Sequence, residues 1–184
     1  MPTDVISNPA WANNPPGALL TPQTDDYWAL DPNVSVSTLT SLIPTVLPSG
    51  LTAPGAGVGV VVELQSWNGS TSGASGSPTH PTVKLSATTA DGLIVGVTQG
   101  TTTGLQAATT TGQVFKTRRY GIGLVLVDNT TTVGHALVQS TGTAGVAHDS
   151  GGVTGTTNET IGVALQALTV NAGIGIIYAL IKLT

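Results

Sequence analysis

Apolar residues in this chain fall in short runs broken by one glycine: Val58-Gly59-Val60-Val61-Val62, Val95-Gly96-Val97, Ile122-Gly123-Leu124-Val125-Leu126, Val133-Gly134-His135-Ala136-Leu137 and Ile161-Gly162-Val163-Ala164-Leu165. Threonine- and glycine-rich spacers with almost no charge separate them. Runs this short, rich in β-branched residues and bounded by turn formers, predict strands rather than helices. Strands are expected at Val58 to Gln65, His80 to Ala87, Leu93 to Thr98, Leu105 to Ala108, Val114 to Thr117, Gly121 to Val127, Gly134 to Gln139, Gly145 to His148, Thr160 to Leu168 and Gly175 to Leu183. In the second of these, Val83 and Leu85 face inward and Thr82, Lys84 and Ser86 outward. The last reads as a strand buried on both faces, or as one pairing at a subunit interface. Short strands at a spacing of about ten residues imply an all-β fold, a small β-sandwich or distorted β-barrel. A glycine inside a strand marks a bulge, a corner or the close approach of another backbone, and corners of a curved barrel are preferred here to a ligand facing bare backbone.

The pattern changes near residue 50. Residues 1–50 hold Pro2, Pro9, Pro15, Pro16, Pro22, Pro32, Pro44 and Pro48 together with Trp11, Tyr27, Trp28, Leu19, Leu20 and Leu30. Prolines at this density disfavour regular ladders and predict an extended arm. Aromatic side chains without a partner are a liability, so the arm is expected to lie on something, either its own domain or a neighbouring subunit. The segment Ser35 to Leu47 spaces its apolar residues by three and four, which predicts one or two helical turns before Pro44 ends them. The organisation is therefore an extended arm, residues 1–50, and a β-rich domain, residues 51–184. The tract Asn68 to Thr79 reads as a loop by composition.

Composition limits the partners. Charged residues are 8% of the 184, against roughly 25% in an ordinary soluble domain. Such a surface is solvated by hydroxyls and amides or hidden in contacts. A mean hydropathy of +0.27, gathered in strand-length runs, argues for a folded chain. The net charge of -4 leaves one small basic cluster, Lys116, Arg118 and Arg119, too few for direct nucleic-acid binding. Arg118 and Arg119 are the charged residues best suited to pair with a protein partner, through their planar forks. There is no cysteine, so stability comes from packing or oligomerisation. Neither a signal peptide nor a membrane span is recognisable, which predicts synthesis in the cytoplasm and no membrane partner.

Reactive groupings are scarce. His148-Asp149-Ser150 carries three triad residue types side by side, but triad members meet from separate elements, so the run is taken as an accident of composition. His80, His135 and His148 lack the spacing of common metal sites and are expected as isolated surface or loop histidines. Glu63 and Glu159 are expected as solvated carboxylates rather than a glycosidase pair. Asp25, Asp26 and Asp31 form an acidic patch without a calcium-loop pattern. No enzyme, metal or cofactor is expected.

Four stretches carry a resemblance: Ala90-Asp91-Gly92-Leu93-Ile94-Val95-Gly96-Val97; Val133-Gly134-His135-Ala136-Leu137-Val138-Gln139-Ser140-Thr141; Gly145-Val146-Ala147; and Thr160-Ile161-Gly162-Val163-Ala164-Leu165-Gln166-Ala167. Together they resemble the head decoration, or capsid cement, proteins of tailed bacteriophages, over about the last hundred residues and not over the proline-rich start. The resemblance implies a structural virion protein on the outer surface of an assembled capsid, a symmetric oligomer, a trimer, that clamps neighbouring major capsid protein subunits. On that basis Trp11, Tyr27, Trp28, Leu39, Leu42 and Ile43 are expected to touch coat protein or an adjacent copy. Removal of residues 1–47 is then expected to leave the β domain folded and to abolish capsid binding. The alternative is a tail fibre or receptor-binding module, also threonine- and glycine-rich.

Overall fold

A computed structural model describes residues 24–30, 41–66, 82–88, 93–99, 114–151 and 160–183, with residues 24–30, 66, 82, 114 and 115 in backbone only. The described residues are all β, with no helix. The strands are β1 (Thr24–Leu30), β2 (Val61–Ser66), β3 (Thr82–Leu85), β4 (Ile94–Thr98), β5 (Val114–Val127), β6 (Ala136–Gln139), β7 (Ala147–Asp149), β8 (Thr160–Ala164) and β9 (Gly175–Lys182). The expected strand at Leu105 to Ala108 and the loop at Asn68 to Thr79 lie outside the described residues.

Pairing closes five strands into a barrel. The second half of β5 runs antiparallel to β9 from Tyr120↔Lys182 to Val127↔Gly175; β9 pairs β8, β8 pairs β6, and β6 pairs β7. β7 returns to β5 at Val127↔Ala147. The first half of β5 belongs to a second circuit, through β4, β2, β3 and β1 back to β5. One 14-residue strand thus serves both circuits, where the sequence predicts two strands with a break at Arg118-Arg119-Tyr120. The ladder does continue through that charged stretch, because Arg118 has a backbone partner on each side, Val97 and Asp25. What the sequence signals there is a corner. Gln99 donates its backbone N–H to Lys116 O at 3.3 Å, while its side-chain amide bonds both groups of Leu124, at 2.9 and 3.1 Å. One glutamine therefore holds two points eight residues apart on the same strand.

Two apolar clusters fill the fold, and alternate residues of one strand feed each. Val125, Val127, Ile177, Ala179 and Ile181 join Leu137, Ala147, Ile161 and Ala164 in the barrel interior. Leu126 and Ile176, on the other face of the same strands, join Val60, Val62, Val83, Val95 and Val146. β9 is accordingly buried on both faces at its start and alternates from Tyr178 onward.

Two expectations are corrected. The proline-rich segment does enter a ladder: Thr24–Leu30 is a proline-free window between Pro22 and Pro32, and it pairs with β5 and β3. The helical turns expected from Ser35 until Pro44 lie mostly outside the described residues, which resume at Ser41. Just after Pro44, Thr45 and Val46 both donate backbone N–H groups to Ile174 O, and Val46 bridges Gly175 in parallel. Leu42, Leu47 and Leu51 pack against the second cluster, so residues 41–51 lie on their own domain, and truncation through residue 47 would strip part of its core. Finally, Ser86 is fully buried rather than outward-facing, and its hydroxyl accepts Gly145 N–H at 3.2 Å.

Two glycines show why the runs are interrupted. Gly59 has φ of +81° and fits between strands, donating to Thr98 O at 2.8 Å and accepting from Leu126 N at 2.8 Å; a side chain there would be strained. Gly162 lies where an added Cβ would run into Leu180 O of β9. At both positions the close neighbour is another strand of this chain.

Candidate interaction surface

The outer faces of β5, β9 and β8 line up in rows, because register places cross-strand partners side by side. Ile122 stands beside Leu180, and Leu180 beside Val163. Leu124 stands beside Tyr178, and Tyr178 O accepts the N–H of Leu165 at 3.0 Å. Ile122, Tyr178 and Leu165 are each 40% exposed, and Leu124, Val163 and Leu180 are half-buried. The next row along, Leu126 and Ile176, is fully buried in the second cluster. The exposed rows are therefore the uncovered continuation of a core face, and none of the six side chains is polar apart from the tyrosine hydroxyl. Contiguous apolar patches of this kind mark interaction sites.

Positive charge borders the patch. Lys182 stands opposite Tyr120, one row beyond Ile122 and Leu180, and is exposed. Arg119 is exposed; Arg118 is half-buried, with Nη1 donating to Ile122 O at 2.5 Å. Of the two arginines singled out from sequence, Arg118 thus reaches the edge of the apolar rows, and Arg119 is its neighbour at the corner of β5. Leu42 and Ile43, adjacent in sequence, separate: Leu42 packs on the core and Ile43 is 55% exposed. Tyr27 and Trp28 lie on β1 opposite Lys116 and Phe115. Trp11 and Leu39 lie outside the described residues. The apolar rows are missed by sequence reasoning because outward and inward positions of these strands are equally hydrophobic.

Two histidine–carboxylate braces stand at the other end of β5. His148 Nδ1 lies 2.7 Å from Asp128 Oδ1, and His135 Nδ1 lies 2.9 Å from Asp149 Oδ1. Asn129 accepts Asp149 N–H at 2.8 Å and donates its amide to Asp149 O at 3.1 Å, which turns the same amide nitrogen toward His148 Nε2 at 3.2 Å. That leaves Nε2 as acceptor and puts the proton on Nδ1, facing Asp128. Ser140 donates its hydroxyl to Asp128 Oδ2 and accepts the N–H groups of Gly142 and Thr143 at 3.0 Å each. The carboxylate thus stands between imidazole and hydroxyl, whereas acyl transfer needs the imidazole in the middle. Asp149, almost fully buried, also accepts Thr132 N–H at 2.8 Å and Gly151 N–H at 2.7 Å. These contacts tie turns to strands.

His148, Asp149 and Ser150 turn to three separate partners, Ser150 Oγ donating to Ala136 O at 3.1 Å. The expectation of isolated histidines is corrected, since both described histidines meet carboxylates that strand register brings to them. Glu63 is corrected too: it is 2% exposed, with Oε1 3.1 Å from Lys84 Nζ and Oε2 accepting Ala87 N–H at 2.8 Å. It fixes the end of β3 to β2. His80 and Glu159 lie outside the described residues. Among the described residues, no three histidine or carboxylate side chains gather as they would around a metal ion. Comparison with protein-family models, curated proteins and solved structures found no match to the chain.

Proposed function

We propose that this chain is a structural virion protein that binds the outside of an assembled phage capsid as a symmetric oligomer, a trimer, and braces contacts between major capsid protein subunits. One observation supports it above the rest: two apolar rows, Ile122–Leu180–Val163 and Leu124–Tyr178–Leu165, lie exposed on a closed barrel whose surface has little charge. A protein of this kind works by many weak contacts repeated by symmetry, and an apolar sheet face with Arg118 and Lys182 at its rim suits that task. The resemblance of the glycine-broken strand motifs to capsid cement proteins points the same way.

The test is co-sedimentation of the purified protein with expanded capsids that lack a decoration protein. Saturable binding at a fixed whole-number ratio to coat subunits is expected, and Leu165→Asp with Tyr178→Asp should weaken it at least tenfold. Protein that stays in the supernatant at all capsid concentrations would refute the reading.

A further inference from the structure

Along the second half of β5, one edge is paired to β9 from Tyr120 to Val127. Alternate residues of a strand turn their N–H and C=O groups to opposite edges, and Ile122, Leu124 and Leu126 bond away from β9. Leu126 N–H goes to Gly59 O at 2.8 Å, and Ile122 O accepts from Arg118 Nη1 at 2.5 Å. Among the described residues no strand pairs this second edge of β5 between Ile122 and Leu126; β7 joins only at Val127. At Leu124 a side chain takes the place of a strand. Gln99 Nε2 donates to Leu124 O at 2.9 Å, and Gln99 Oε1 accepts Leu124 N–H at 3.1 Å. We infer that the Gln99 carboxamide stands in for a missing strand on β5 and so keeps this edge from pairing with a second copy of the chain.

A primary amide offers the same donor and acceptor as a peptide unit, and the fold uses that equivalence twice. Where the parallel pairing of β5 with β7 stops at Val127↔Ala147, Asn129 Nδ2 donates to Asp149 O at 3.1 Å and Asn129 Oδ1 accepts Asp149 N–H at 2.8 Å. The strand also makes room for Gln99: a Cβ added to Gly123 would come within 2.9 Å of Gln99 Oε1. An open edge is a template for strand addition, and charged side chains are the common safeguard. Tyr120 to Val127 contains no charged residue. Antiparallel pairing of two copies about Gly123 would set Ile122 of each against Leu124 of the other, and apolar residues directly opposite favour such a pair. The half-buried Gln99 amide occupies the groups that this pairing would need.

The test follows hydrogen–deuterium exchange of the Leu124 amide by NMR in dilute solution, with sedimentation velocity over a range of concentrations. Gln99→Leu keeps the bulk of the side chain and removes both bonds. Leu124 should then exchange at least tenfold faster than in the wild type, while Leu126, held by Gly59, changes less than threefold. On concentration this variant should form assemblies larger than those of the wild type, and they should dissociate on dilution. Gln99→Glu keeps an acceptor for Leu124 N–H and adds a charge at the edge, so Leu124 exchange should stay within threefold of wild type and sedimentation should match it. This second variant decides the matter if Gln99→Leu does not fold. Unchanged Leu124 exchange in Gln99→Leu, wild-type sedimentation of Gln99→Leu at every concentration, or larger assemblies of Gln99→Glu would each overturn the inference. None of these measurements contains a capsid, so their failure leaves the proposed virion role standing, and failure of co-sedimentation leaves this inference standing.

Discussion

The outer face of β5 and β9 is one surface with two fates. At Leu126 and Ile176 it is roofed and fully buried; at Ile122, Leu180 and Tyr178 it is open. The side chains are of the same kind in both halves, so hydropathy does not distinguish core from contact surface. What distinguishes them is what lies across the strands: Val60, Val62, Val83, Val95 and Val146 meet the face at Leu126 and Ile176, with Leu42, Leu47 and Leu51 packed against the same cluster. Burial here is a property of what crosses a strand.

That contrast is best broken by shortening side chains along the two halves. Ile176→Ala, under the roof, is expected to lose about 2–5 kcal/mol of stability in urea titration, since it leaves a cavity in a packed cluster. Gly162→Ala tests the close approach of β8 to β9 and should lose about 1–3 kcal/mol by overpacking; the same stability as wild type would mean that the two backbones move apart freely. The roof itself is tested at neighbouring residues: Leu42→Ala should lose about 1.5 kcal/mol, whereas Ile43→Ala, 55% exposed, should lose little in the same titration. On the open half, Ile122→Ser is expected to change unfolding free energy by no more than about 0.5 kcal/mol, while weakening capsid co-sedimentation several-fold. Equal losses at Ile176 and Ile122 would erase the distinction between the halves.

Much of the strand content was legible because β-branched runs bounded by glycine and threonine have few other solutions. β2, β4, β6, β8 and β9 fall within a few residues of their expected positions. The exceptions have identifiable causes. β1 is hidden by the proline density of the surrounding fifty residues, although the seven from Thr24 to Leu30 contain none. Arg118-Arg119-Tyr120-Gly121 looks like a turn in sequence; it is a corner within a continuous ladder, held by Gln99 just after β4. The histidine–carboxylate braces depend on register between strands up to twenty residues apart, which no local pattern encodes. A carboxylate at a strand end is usually solvated, and only the fold shows Lys84 and Ala87 arriving beside Glu63. The apolar rows were invisible for the opposite reason: nothing about Ile122 or Leu180 differs from the buried residues next to them.

The sharing of β5 by two ring closures has a kinetic consequence. Its partners come from positions far away along the polypeptide, as in Thr24 with Tyr120 and Tyr120 with Lys182, so little can form early and the search for the native arrangement should be slow. Once both circuits close, neither half has a free border from which to fray, and loss of one should drag the other with it. A molecule that matures sluggishly and then comes apart only as a whole suits a part that is installed once and must last.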